Sequence, residues 1–228
     1  MIEAVVVDVD DTLCLTEAAS FDLGNTALTR MGREPMPRSI HVATWEQPLF
    51  DAIITRSPGV DVEAFKTAYR PAIAEFIADG RLDKIPDENY EALDELIARG
   101  KLVMLLTSRT HSEFKHMLEP DHLLASRVTA FYYKDNMQYH KPDPRAFNEL
   151  LQAHGLSPDQ CAYVGDSPSD AQASNEAGLY FVASLESGIR QRQDFANYKV
   201  NVYIQRFPDI VGAIAEIEQG MRLPETHQ

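Results

Sequence analysis

The stretch Val5-Val6-Val7-Asp8-Val9-Asp10-Asp11-Thr12-Leu13 decides how the rest of the chain is read. Its valines are β-branched and favour a buried strand, here predicted over residues 4–9, which delivers three carboxylates at its carboxyl end. In open α/β sheets that end is where ligands bind. Alternation along a strand sends Asp8 and Asp10 to the same side. Two such charges about 4 Å apart repel by roughly 4 kcal/mol at an effective dielectric near 20. Against a typical domain stability of about 5–15 kcal/mol that is a large cost. A hard divalent cation held by oxygen ligands would offset it.

Further strand-like apolar runs lie at 102–106, 128–133, 161–164 and 179–183, with a weaker one at 200–204. Helical patterns separate them. Asp87–Arg99 carries Tyr90, Leu93, Leu96 and Ile97 on one face and stops at Gly100; Pro144–His154 carries Phe147, Leu150 and Leu151 and stops at Gly155; a third runs from about Pro168 to Gly178. Strands and helices alternating in this way imply βαβ units, hence a parallel sheet with helices on both faces. The long gap after the first strand breaks the rhythm. Residues 14–84 hold no convincing strand but show helical periodicity, at Phe21, Leu28 and Met31, at Leu49, Ile53 and Ile54, and at Phe65, Tyr69, Ile73, Phe76 and Ile77. The expected organisation is an α/β core of residues 1–13 and 85–228 with an all-helical subdomain, 14–84, inserted after the first strand.

With 228 residues, 44% of them apolar and 25% charged, the chain is of an ordinary globular type. Its 35 Asp and Glu against 21 Lys and Arg give −14, a balance that disfavours nucleic acid and anionic membrane as partners. No apolar run approaches the ~18 residues of a membrane span, and a core strand this close to Met1 leaves no room for a signal peptide. Two cysteines, Cys14 and Cys161, make no disulfide framework and read as small buried fillers. A cytoplasmic location is the default expectation.

Three more signals fall at the ends of predicted strands or just beyond them: Thr107-Ser108-Arg109, His140-Lys141-Pro142-Asp143-Pro144, and Gly165-Asp166-Ser167-Pro168-Ser169-Asp170. Each has a bland reading alone, as a turn, a helix entry or a loop. A parallel sheet, however, gathers all of them along one edge with Asp8 and Asp10, and that convergence favours a site.

In these motifs the chain resembles the haloacid dehalogenase (HAD) superfamily of phosphotransferases, whose pattern is Asp-x-Asp-x-Thr, then Thr or Ser, then Lys, then a paired acidic motif. The runs Lys141-Pro142-x-Pro144-x-x-Phe147 and Gly165-Asp166-Ser167-x-x-Asp170…Ala177-Gly178 resemble the phosphoglycolate phosphatase and β-phosphoglucomutase branch. The resemblance implies a Rossmann-like core with a helical cap of the C1 type, and a Mg²⁺-dependent phosphatase acting on a small phosphorylated metabolite. By the same resemblance Asp8 is the nucleophile that forms an aspartyl-phosphate, and Asp10 is the general acid and base. Thr107 and Lys141 stabilise phosphoryl oxygens. Mg²⁺ is held by Asp8, Asp166 and the backbone carbonyl of Asp10, with Asp170 in contact or just behind. Asp11 is a turn residue.

Weaker candidates for substrate binding are Ser108 and Arg109 at the entrance, Arg109 being equally suited to cap the following helix, and Trp45 in the insert. Arg56, Lys66 and Arg70 fit a distal anion but read better as a solvated helix face. His111 and His116 are five apart and share no helical face, and no His/Cys cluster suggests zinc. The rivals to a phosphatase are a phosphoglucomutase-like phosphotransferase on the same core and a catalytically silent binding module; a dehalogenase, which needs no metal, is disfavoured. A monomer or a homodimer is expected.

Overall fold

The computed structural model describes residues 1–45, 47 and 49–222. The chain divides into two compact units, Met1–Leu13 with Ile85–Gln228, and Cys14–Lys84. Chain order begins with β1 (Ala4–Val7) in the first unit. It continues through α1 (Thr16–Arg30), α2 (Arg38–Ala43), α3 (Leu49–Arg56) and α4 (Val62–Ala78) in the second. Back in the first unit follow α5 (Asp87–Ala98), β2 (Leu102–Leu106), α6 (His111–Phe114), β3 (Ala130–Tyr132), α7 (Asn148–His154), β4 (Cys161–Gly165), α8 (Pro168–Ala177), β5 (Tyr180–Ser184), β6 (Val202–Ile204) and α9 (Ile210–Arg222).

The six strands form one parallel sheet in the order β3-β2-β1-β4-β5-β6. β1 is central: Ala4 stands beside Leu102 on one side and Cys161 on the other, and Val7 beside Leu105 and Val164. All four residues of β1 are buried, as a strand covered on both faces requires. The strand order reverses direction beside β1, and in doubly wound sheets the crevice at that point is the binding position. One face carries Ala4, Val6, Met104, Leu106, Cys161, Tyr163 and Phe181, packed with Phe147 and Leu150 and with Ala171 and Ala173 of α8. Residues of opposite parity point to the other face. Both cysteines are buried and free, and burial pushes the Cys161 thiol up to about 12.

β1 is shorter than the strand expected over 4–9. It ends at Val7, and the chain then turns: Leu13 N–H donates to Val9 O at 3.0 Å, and Asp11 sits at φ 54°. The helix expected over Pro144–His154 begins as a 3₁₀ turn, Pro144–Phe147, before α7.

The second unit is all helical among its described residues. Ala27, Leu28, Met36, Ile53 and Phe65 form one buried cluster, and Leu23, Ala72 and Phe76 another. Asp61 caps α4, its Oδ1 accepting from the N–H groups of Glu63 at 3.0 Å and Ala64 at 3.1 Å. Arg56, expected on a solvated face, is buried instead; Ile53 and Ala52 beside it carry α3 into the core and take Arg56 with them. Lys66 pairs with Glu63 at 2.7 Å, and Arg70 is exposed. Among the described residues no helix is long and apolar enough to cross a membrane.

Candidate active site

Every site residue in the sheet-containing unit leaves the sheet at its carboxyl edge. Asp8 follows β1 directly, and its N–H still donates to Val164 O at 2.9 Å, so the β4 pairing fixes where its side chain starts. Thr107 follows β2 and is fully buried, with its N–H on Tyr132 O at 2.9 Å. Asp166 follows β4, and Asp170 lies in the first turn of α8. Ser167 opens that helix: its N–H and its hydroxyl donate to Asp170 Oδ2 at 3.0 and 2.7 Å, the reciprocal contact that locks a capped helix start. A glycine is needed just before, because a Cβ at Gly165 would lie 2.6 Å from the Asp170 carboxyl carbon. Gly165 therefore lets α8 bring Asp170 over the end of β4.

Lys141 joins these parts. Its ammonium donates to Asp8 Oδ1 at 2.8 Å, Asp170 Oδ1 at 2.6 Å and the Tyr163 hydroxyl at 2.8 Å. The Tyr163 hydroxyl in turn donates to Asp170 Oδ1 at 3.1 Å. Both oxygens of Asp170 are thus fully engaged. One carboxylate oxygen from each of Asp8, Asp166 and Asp170 lies within 4.8 Å of the other two.

Charge in this cluster is unbalanced. Burial pushes the Asp8 carboxyl up to about 7; Lys141 opposes the shift, while Asp170 and Asp10 add to it. Asp166 is held well above the usual carboxylate range, first by burial and then by Asp170 and Asp8. For Lys141 burial acts downward, but Asp170 and Asp8 outweigh it, so the ammonium is held above its ordinary value and stays charged. Burial and the neighbouring Asp170 also push the Tyr163 hydroxyl well up, so it remains a donor. Three clustered acids with one ammonium are short of positive charge. A hard cation fits the all-oxygen donor set, and Asp166 fits it best, since no hydrogen bond reaches its carboxylate among the described residues.

Asp10 stands outside that cluster. Its carboxylate takes the Arg109 guanidinium in a fork, with Nη2 on Oδ1 at 2.6 Å and Nε on Oδ2 at 3.0 Å, while its charge still helps to raise Asp8. The repulsion expected between two bare acids is met by a separate cation on each. Arg109 does not cap α6; Thr110 N–H donates to Glu113 at 2.8 Å there. Ser108 is exposed, and Asp11 is buried in the turn. Trp45 lies in the helical unit, half-buried, its ring 5.4 Å from that of His41.

Two participants escaped the sequence reading. Tyr163 reads as one more apolar strand residue, and nothing local shows that its hydroxyl meets Lys141. Ser167 reads as loop, although its position three residues before Asp170 is the signature of a helix start.

The model of a family described as haloacid dehalogenase-like hydrolase matches residues 5–184. A phosphoglycolate phosphatase of Aliivibrio fischeri is 28% identical over 158 residues, 68% of either chain. That of Rhodospirillum rubrum is 26% identical over 189 residues, 78% of either chain. Among solved structures, a Thermotoga maritima protein described as a β-phosphoglucomutase superposes with a TM-score of 0.75 at 20% identity, over 94% of this chain and 99% of its own. At that identity the likeness speaks for the fold alone.

Proposed function

The chain belongs to the haloacid dehalogenase-like hydrolase family and is a phosphatase within it, and from that premise we propose that it hydrolyses a small phosphorylated metabolite, with Mg²⁺, through an aspartyl-phosphate at Asp8. The observation that carries this reading is the Asp8–Lys141–Asp170 constellation beside Asp166 at the carboxyl end of β1 and β4. The relatives' name makes phosphoglycolate the first substrate to test.

Asp8 lies at the strand end, where its carboxylate attacks phosphorus as the bond to the leaving oxygen breaks. Asp10 gives that oxygen a proton, which requires the Arg109 fork to open and a carboxyl oxygen to be protonated first, then takes one from the water that splits the aspartyl-phosphate and restores Asp8. Lys141 meets phosphoryl oxygens as charge gathers on them, and Asp170 and Tyr163 hold its ammonium in place for that contact. The Thr107 hydroxyl, which accepts from Arg109 N–H at 3.2 Å, keeps its own proton to donate to the phosphoryl group. Asp8, Asp166 and the Asp10 backbone carbonyl would hold Mg²⁺, with Asp170 acting through Lys141 because its oxygens already accept four hydrogen bonds. When bound, the cation neutralises part of the phosphate dianion's charge, which lets a carboxylate approach. Residues 14–84 serve as the cap in this reading.

Phosphate release from phosphoglycolate and a panel of other phosphomonoesters, with Mg²⁺ and with chelator, tests the proposal. Asp8→Asn is expected to lower turnover by about 10³-fold or more with the fold retained. Mg²⁺-dependent hydrolysis persisting in that variant would overturn it.

A further inference from the structure

With Ala92, Leu93 and Leu96, α5 buries a polar residue, Asn89. A buried amide costs stability unless it is hydrogen-bonded, and this one directs its donor outside its own helix. Nδ2 donates to the carbonyl of Leu13, 2.9 Å away and 76 residues earlier. Leu13 closes the turn that follows β1: its N–H donates to Val9 O at 3.0 Å, and inside that turn lie Asp10 and, at φ 54°, Asp11. A residue other than glycine keeps a positive φ only where its surroundings fix it.

Different parts of the fold hold the two ends of this segment. At its entry Asp8 N–H donates to Val164 O at 2.9 Å, so β4 fixes the nucleophile. At its exit Leu13 is held from α5 by Asn89, whose own N–H donates to Pro86 O at 2.9 Å. Burial of Val9 and Leu13 keeps the turn in the core. Apolar contact has no direction, however, whereas a hydrogen bond to a carbonyl orients the peptide that carries it. Asp10 lies between the two anchors. Acid and nucleophile must meet one breaking bond from fixed positions, and a misplacement of about 1 Å can cost ~10²-fold in rate. We propose that Asn89 is a positioning residue for the general acid: by holding Leu13 O it sets the course of residues 9–13, and so where the Asp10 carboxyl stands relative to Asp8. The inference rests on the phosphatase reading with Asp10 as acid, and deepens it.

Two probes with small leaving groups read the effect: an alkyl ester, phosphoglycolate or whichever alkyl ester of the panel is hydrolysed faster, and acetyl phosphate. An alkoxide needs a proton as it leaves and acetate does not, so only the first probe depends on the acid. The quantity compared is kcat/KM for the alkyl ester divided by that for acetyl phosphate, read within each protein, so a general loss of activity does not mimic the effect. Asp10→Asn should lower this ratio by about 10²-fold or more. Asn89→Leu, matched in size, should lower it by about 10-fold, and Asn89→Ser, which keeps a donor on a shorter arm, by less. Thermal melting reports whether each variant is folded, and Asn89→Ser decides alone if Asn89→Leu is not. An unchanged ratio in the folded Asn89 variants, with or without an equal loss on both probes, overturns the assignment. A ratio unmoved by Asp10→Asn removes the acid and this inference with it, while Mg²⁺-dependent release from acetyl phosphate leaves the phosphatase reading standing. No release from either probe or from the wider panel sinks both.

Discussion

Both compact units bury charge, and they do so in opposite ways. In the helical unit Glu17 is buried between the Arg38 guanidinium and His41 Nε2, the latter 3.2 Å away. Buried Arg56 donates to Thr44 Oγ1 and Thr44 O, both at 2.8 Å, and burial lowers its pKa while Glu17 holds it up. Arg38 and Arg56 each have an acceptor from their own unit. At the sheet edge Asp8 and Asp170 share one ammonium with Asp166 beside them, and burial raises Asp8 and Asp166 rather than settling them. Balanced burial holds helices together. Unbalanced burial is tolerated only where something else will arrive.

The strongest way to break this contrast is Lys141→Met. It leaves Asp8 and Asp170 buried against each other with no counter-charge, which should cost about 3–5 kcal/mol in chelator, with activity lost. Chemical denaturation with and without Mg²⁺ checks it, and the deficit should shrink when the cation is present.

The pH dependence comes next. An acid whose folded pKa is raised binds its proton more tightly when folded, so its contribution is complete below the unfolded value and lost as pH rises through the folded one. For Asp8 the window runs from about 4, the unfolded value, to about 7, and spans at most about 4 kcal/mol. Melting in chelator should therefore weaken from pH 5 to pH 8, and the gain from Mg²⁺ should grow over the same range. A gain that shrinks with pH would contradict the charge excess.

Arg56→Met probes the balanced unit. Loss of two buried hydrogen bonds should cost about 1–3 kcal/mol, and the pH dependence of the Mg²⁺ gain should be unchanged. The smallest effect is expected from Tyr163→Phe. Removing one hydroxyl from Lys141 and Asp170 should cost about 1 kcal/mol in melting, and a several-fold fall in kcat with KM nearly constant would mark it as a group that positions Lys141.

The parallel sheet was legible because buried strands are written as continuous apolar runs, and a parallel sheet sends all their ends to one edge. Asp8, Thr107, Lys141, Asp166 and Asp170 could be named together for that reason. The Arg109–Asp10 fork could not, because it depends on a turn at Asp11 with positive φ that ends β1 two residues early. Tyr163 hid behind its hydrophobic ring, and Arg56 behind its charge: a formal charge reads as surface until its partners are seen. Gly165 was visible as part of a motif, but its reason, the carboxyl group that packs where a Cβ would stand, is a contact and not a pattern.

The central place of β1 has a consequence for how the chain is made. This strand is at the start of the sequence, yet its two neighbours begin at Leu102 and Cys161. During synthesis the valines of β1 emerge well before either partner strand and wait for Leu102–Leu106 and then Cys161–Gly165 before both flanks are covered. Pairings so distant in sequence close slowly and keep an apolar edge open to wrong partners. The strand that leads to Asp8 is thus made well before its neighbours and among the last enclosed, and a nascent chain stalled before Cys161 would leave its β4 side uncovered.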